Sequence, residues 1–168
     1  MKIVFFYKSL ETGGIARVLA NLANQFRLSG HEVVFLLRRK SGELLEELHD
    51  EIRIIDLDCE ELRHCIIPAA WTIFSEKPDF IVSGQTVYNI AIIISNYLAG
   101  HQSEVVATEH MSIRRKIENW PLAKRWLIKT ILVRSDWIVV VSEGMRHEYI
   151  AELEIDSSKV RRIYNPVL

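Results

Sequence analysis

Short, unbroken apolar runs separated by longer segments of helical period constrain this chain more than any other feature. Ile3–Tyr7 is a run with no polar alternation, as a strand covered on both faces requires. After Glu11-Thr12-Gly13-Gly14, the apolar residues Ile15, Val18, Leu19, Leu22, Ala23 and Phe26 form one stripe of an amphipathic helix, and Gly30 follows as its C-cap. The pattern repeats. Val33–Leu37 predicts a strand, Leu44–His49 a short helix, and Ile52–Leu57 a more polar strand near an edge. A helix is predicted from about Glu60 to Glu76, broken by Lys77-Pro78-Asp79, and Phe80–Val82 is the next strand. Tyr88–Leu98 reads as a helix, Val105–Thr108 as a strand, Leu122–Val133 as a helix and Trp137–Val141 as a β-branched strand. Ser142 is placed to N-cap a helix running to Leu153, and Val160–Tyr164 is the last strand. Strands alternating with helices throughout predict an α/β fold: a doubly wound, mainly parallel Rossmann-like sheet of about seven strands, with helices on both faces.

At 168 residues and 49% hydrophobic, the chain suits one domain with a full core. The net charge of −1 supplies no field for nucleic acid. Cys59 and Cys65 match no metal-binding spacing and read as inert thiols in a reducing compartment. The apolar run after Lys2 is too short for a signal peptide, and the longest apolar stretches fall far short of the roughly 20 residues that span a bilayer. A cytoplasmic location is therefore expected.

In an open α/β sheet, ligands bind beyond the carboxyl ends of the strands. The residues to inspect are therefore Lys8 to Gly14, Arg38–Arg39, Asp56–Asp58, Ser83 to Thr86, Glu109–His110, Ser142–Glu143 and Asn165. Gly13 and Gly14 let the backbone approach a ligand closely and adopt positive φ, and the helix behind them turns free N–H groups toward a phosphate or hydroxyl. A tight turn alone also explains them. The dinucleotide fingerprint is absent, because Thr12-Gly13-Gly14-Ile15-Ala16-Arg17 lacks its spacing and third glycine. Arg38–Arg39 after the second strand keeps an NADP-type oxidoreductase open as an alternative. A non-catalytic glycan-binding domain is another. His110 is placed to hydrogen-bond a sugar hydroxyl or a developing charge; a surface loop histidine is the bland alternative.

Five stretches together resemble family-4 glycosyltransferases of the GT-B fold. They are Lys2-Ile3-Val4-Phe5-Phe6 leading to Gly13-Gly14-Ile15-Ala16-Arg17-Val18, Gly30-His31-Glu32-Val33, Thr108-Glu109-His110, Ser135 to Glu143, and Ile163-Tyr164-Asn165-Pro166-Val167. Many relatives carry Glu where Ala16 stands. The resemblance implies that residues 1–168 form the N-terminal, acceptor-side domain, with a C-terminal donor-binding domain beyond this chain. It implies a retaining, metal-independent transfer with no cofactor besides a UDP- or GDP-linked sugar donor. His110 would then lie by the transferred sugar as the catalytic candidate. Gly13, Gly14, Arg17, Glu109 and Ser142 are the donor- or acceptor-binding candidates. The acceptor would be a growing cell-surface glycan or a lipid-linked sugar, as in polysaccharide or lipopolysaccharide biosynthesis.

Arg114 to Arg134 holds seven Lys or Arg against the single acid Glu118, with Trp120 and Trp126 among them. Basic and aromatic residues together suit peripheral contact with the inner face of a membrane. The apolar residues spread around the helical wheel, so a core-packed helix with snorkelling basic ends is the competing expectation.

Overall fold

The computed structural model describes residues 1–118 and 120–165, so Pro166 and Val167 of the fifth stretch lie outside the described residues. Seven parallel strands form one sheet in the order β3-β2-β1-β4-β5-β6-β7. They are β1 (Lys2–Tyr7), β2 (Glu32–Leu37), β3 (Arg53–Asp56), β4 (Phe80–Gly84), β5 (Glu104–Glu109), β6 (Trp137–Val140) and β7 (Val160–Arg162). The helices are α1 (Gly14–Leu28), α2 (Ile66–Glu76), α3 (Thr86–Leu98), α4 (Ile113–Ile117), α5 (Leu122–Leu132) and α6 (Glu143–Leu153). Val4, Phe5 and Phe6 of β1 and Val34, Phe35 and Leu36 of β2 are fully buried, each strand flanked by a neighbour on both sides, which explains why those runs show no polar alternation. The more polar β3 lies at the edge, as its composition predicts.

Three local expectations need correction. The helix predicted from Glu60 starts as a 3-10 turn (Leu62–Cys65), and α2 begins only at Ile66. The reason is Pro68, which has no N–H to donate and is tolerated only in a first turn. The segment Leu44–His49 is a 3-10 helix, Glu43–Glu47. The short α4 was not predicted; Ser112 caps it, accepting from the Arg115 N–H at 3.4 Å.

The strand order turns the chain around between β1 and β4. Right-handed crossovers then carry α1 to one face and the later helices to the other. Phe5 packs on Phe26 of α1, whereas its neighbour Phe6 packs on Tyr88 of α3. Helices thus stand on both faces, but unevenly. On the α1 side, Phe80, Val82, Val106, Val139 and Val141 line an open apolar groove of about 320 Å³ beside Val18, Leu22 and Phe26.

Candidate functional site

The carboxyl ends of β1, β4 and β5 meet at the point where the strand order reverses, the place where an open α/β sheet leaves a crevice. The turn after β1, the residue after β4 and His110 after β5 share this edge.

The glycine turn is held from outside. The Thr12 N–H and hydroxyl both donate to Glu43 Oε2 at 3.0 Å. A hydrogen bond from its own backbone N–H, with those two from Thr12, holds the Glu43 carboxyl below its ordinary range. Leu10 N–H donates to the Ser41 carbonyl, and Leu44 N–H donates to that of Leu10. Gly42 makes this clamp possible: at φ 116°, a Cβ there would lie 2.0 Å from the Leu10 carbonyl carbon. The expected positive φ in the glycine pair is not found. Gly13 has φ 178°, an extended value open to any residue, and around Gly14 there is open space. What the pair does is leave the start of α1 bare. Gly13 supplies no capping side chain, and the first intrahelical bond is Arg17 N–H to the Gly13 carbonyl. The first N–H groups of α1 therefore face the crevice with the positive end of its dipole.

His110 is half-buried at the mouth of the apolar groove. Its Nε2 lies 3.2 Å from Thr108 Oγ1, whose proton already goes to the Ser83 carbonyl at 2.8 Å. A hydroxyl has one proton, so Thr108 can only accept from His110, which puts the imidazole proton on Nε2 and a lone pair on Nδ1. Burial lowers the His110 pKa, opposed by the charge of Glu109 and reinforced by Lys116, so the ring is neutral at pH 7.

Glu109 points to the other face of β5 and is fully buried. Its carboxylate accepts from Thr86 Oγ1 at 2.9 Å, Asn89 Nδ2 at 3.0 Å and Lys116 Nζ at 2.6 Å. It pins α3 and α4 under the crevice. Arg17 is engaged by the Glu47 carboxylate, on the side of α1 away from the groove. Ser142 caps α6, accepting from the Met145 N–H at 3.2 Å. The structure thus brings the glycine turn and His110 to one crevice. Glu109, Arg17 and Ser142 sit in supporting positions around it. Arg38, the basis of the oxidoreductase alternative, donates to the Glu60 carbonyl.

Two features at this edge escape sequence reading, although Gln85 lies within the Ser83 to Thr86 stretch singled out for inspection. Gln85 follows β4 with φ 81°, a left-handed value that costs a non-glycine residue energy, and donates its N–H to the Thr108 carbonyl. Glu43 braces the turn from 31 residues away. No local pattern announces either.

Residues 12–167 match the family model described as Glycosyltransferase Family 4. No curated protein sequence matches the chain. Among solved structures, the chain is similar to a lipopolysaccharide outer core galactosyltransferase, WaaB, with TM-score 0.75 and 18% identity, over 99% of this chain and 46% of that one. It is also similar to HepE of Anabaena in complex with UDP-glucose, with TM-score 0.73 and 17% identity, covering 99% and 44%. MurG of Acinetobacter baumannii follows at TM-score 0.64 and 14% identity, covering 100% and 46%. The chain thus spans less than half the length of each of these proteins.

Proposed function

The chain belongs to Glycosyltransferase Family 4, and from that premise we propose that it is the acceptor-side half of a two-domain sugar transferase. The whole protein moves a hexose or N-acetylhexosamine from a nucleotide diphosphate sugar to a growing glycan or a lipid-linked acceptor. The observation that carries this reading is the neutral His110, its Nδ1 lone pair free at the edge where α1 presents its unbonded N–H groups. Nδ1 accepts a hydrogen bond from a hydroxyl of the transferred sugar or the acceptor, and the start of α1 receives a phosphate. No charge on His110 then competes with the positive charge that builds on the sugar ring as the leaving group departs.

A UDP-linked donor is favoured by the HepE structure, described with UDP-glucose. The open groove supports a second half for the protein, since a row of apolar side chains on the α1 side of β4–β6 is left without a helix among the described residues. Retention of anomeric configuration and independence of metal follow from the family reading. Peripheral placement on the inner face of the membrane is supported by the basic and aromatic composition of Arg114 to Arg134.

The test is His110→Ala in the full-length protein, assayed with UDP- and GDP-sugars. Turnover should fall roughly a hundredfold, the usual worth of one well-placed transition-state hydrogen bond, while the unfolding midpoint barely moves. Unchanged turnover would remove His110 from the site.

A further inference from the structure

Arg38, directly after β2, is a half-buried cation that is held in place but not neutralised. Its Nη1 donates to the Glu60 carbonyl, and its Nε–H is buried with no acceptor. A buried donor is costly to leave unpaired. In a guanidinium, Nε–H and one N–H of Nη2 lie along a single edge, the edge that pairs with two oxygens of one anion. Because Glu60 takes Nη1, that edge is the one left open. Tyr88 lies beside Arg38: burial raises the pKa of its phenol, and the Arg38 charge works in the opposite direction. The Tyr88 ring packs on those of Phe6 and Tyr7 at 5.8 and 5.3 Å, so Arg38 stands on the α3 face at the carboxyl edge of the sheet.

The charge changes sign along this edge. The segment after β3 carries Asp56, Asp58, Glu60 and Glu61, of which Glu61 is paired with Arg63 at 2.7 Å. Toward the crevice the sign reverses. Arg39 and Lys40 are exposed, and the Arg39 N–H donates to the Lys8 carbonyl, which brings the end of β1 alongside. Among the described residues, no salt bridge joins Arg38, Arg39 or Lys40 to a carboxylate. Lys8 meets Glu11 at 3.7 Å with both side chains open to water, a pair too weak to neutralise it. Glu43, the other acid on this side, is turned to Thr12. The same loop borders the glycine turn, since the Ser41 carbonyl accepts from the Leu10 N–H.

We propose that Arg38, with Lys8 and Arg39, binds a phosphate group on the acceptor sugar, so that the acceptor is a sugar phosphate. The inference rests on the transferase reading. Phosphate suits the cluster because it offers two oxygens to the open edge of Arg38 and further charge to Lys8 and Arg39. Three strand spacings, roughly 14 Å, separate the ends of β2 and β5. The phosphate is therefore remote from the hydroxyl that reacts beside His110. It is also distinct from the donor's phosphate at the start of α1, because α1 packs on Phe5 and stands on the opposite face of the sheet from Tyr88 and Arg38. The 2′-phosphate of a dinucleotide is a poorer fit, since the glycine fingerprint that would hold the rest of that ligand is missing.

Titration of the 168-residue chain with glucose 6-phosphate, followed by NMR, should shift the amide signals of Lys8, Arg38 and Arg39 saturably. Glucose should not, and added salt should weaken the phosphate's effect. Arg38→Gln should lower the affinity roughly tenfold. Arg38→Lys should not restore it, because an ammonium cannot pair two oxygens along one edge. Arg39→Gln and Lys8→Gln, both at water-facing positions, should each lower it about threefold. Equal affinity for glucose and glucose 6-phosphate overturns the proposal, as does undiminished binding by an Arg38→Gln chain with the parent's circular dichroism. Should that variant fail to fold, undiminished binding by both Arg39→Gln and Lys8→Gln overturns it instead. In the full-length protein, Arg38→Gln should leave UDP-sugar affinity unchanged, and a parallel loss would assign Arg38 to the donor. Phosphate binding through Arg38 alongside a fully active His110→Ala enzyme would sink the transferase reading and leave the anion site intact.

Discussion

Thr108 decides which nitrogen of His110 is offered to a ligand. Thr108→Val keeps the shape but removes the acceptor for Nε2–H and leaves the Ser83 carbonyl without its buried donor. Urea unfolding should show a loss of about 1–3 kcal/mol from that carbonyl. Transfer by the full-length protein should fall more steeply than stability alone explains, and Thr108→Ser should restore both. Equal turnover in the Val and Ser variants would exclude the tautomer as a determinant. The histidine also sets a pH dependence. Its folded pKa lies below the ordinary 6.5, so the unfolded chain binds the extra proton more readily. Stability is therefore fully present above about pH 6.5 and lost as pH falls through the lowered value. His110→Ala should flatten that part of the profile, measured as the unfolding midpoint against pH. The candidacy of His110 was legible from one fact, a histidine directly after an apolar strand. Its tautomer was not, because that depends on the Ser83 carbonyl of the neighbouring strand.

At the scale of elements, the glycines divide by what surrounds them. Gly13 and Gly14 have room for a methyl group, so Gly14→Ala, at the first position of α1, should leave stability unchanged or raise it by about 0.4–1 kcal/mol. The same change crowds the N–H groups at the start of α1. Sugar-nucleotide affinity of the full-length protein should fall, and an unaltered Kd would return the pair to a purely structural role. Gly84 behaves oppositely. A Cβ there would sit 2.7 Å from Ile15 Cγ2, so Gly84→Ala should cost about 1–3 kcal/mol by displacing α1 from the sheet. Calorimetry of the two alanine variants checks the contrast. Helix spacing revealed the buried stripe of α1, and Ser142 as a cap followed from its position after a strand. The start of α2 was misread because the proline constraint acts on the turn before it.

For the whole molecule, one wall of a cleft predicts weak binding. The described crevice offers a sugar nucleotide the start of α1 and a neutral histidine, with open solvent opposite, and neither excludes water nor clamps a pyrophosphate. Isothermal titration of the 168-residue chain with UDP- and GDP-sugars should give affinities of millimolar or weaker and no transfer. Micromolar binding would mean that the site is complete within these residues. Acid stability is a second global property. Glu76 joins Lys2 on β1 to Arg53 on β3, and the Arg53 hydrogen bond, with help from Lys2, lowers its pKa to about 2. The carboxylate therefore stabilises the fold above the ordinary carboxyl range and loses that effect as pH falls toward 2. Glu76→Gln should melt lower at neutral pH and approach the parent chain at the acid end.

The sequence by itself determined the layered α/β architecture, because burial on both faces demands unbroken apolar strands and a sheet-packed helix demands one apolar stripe. It also determined where to look for a ligand, since every strand's carboxyl end could be counted along the chain. Tertiary structure decided what the residues there do. Glu109 follows Thr108 directly, yet alternation along β5 sends it to the opposite face, into the grip of Lys116, Thr86 and Asn89. Arg17 and Glu47 meet only because α1 lies against the 3-10 helix, and the brace from Glu43 to Thr12 has the same origin. The bare half of one sheet face is likewise invisible in a linear pattern. An apolar side chain reads the same whether it faces a core or water, and only the packing of neighbouring elements distinguishes the two.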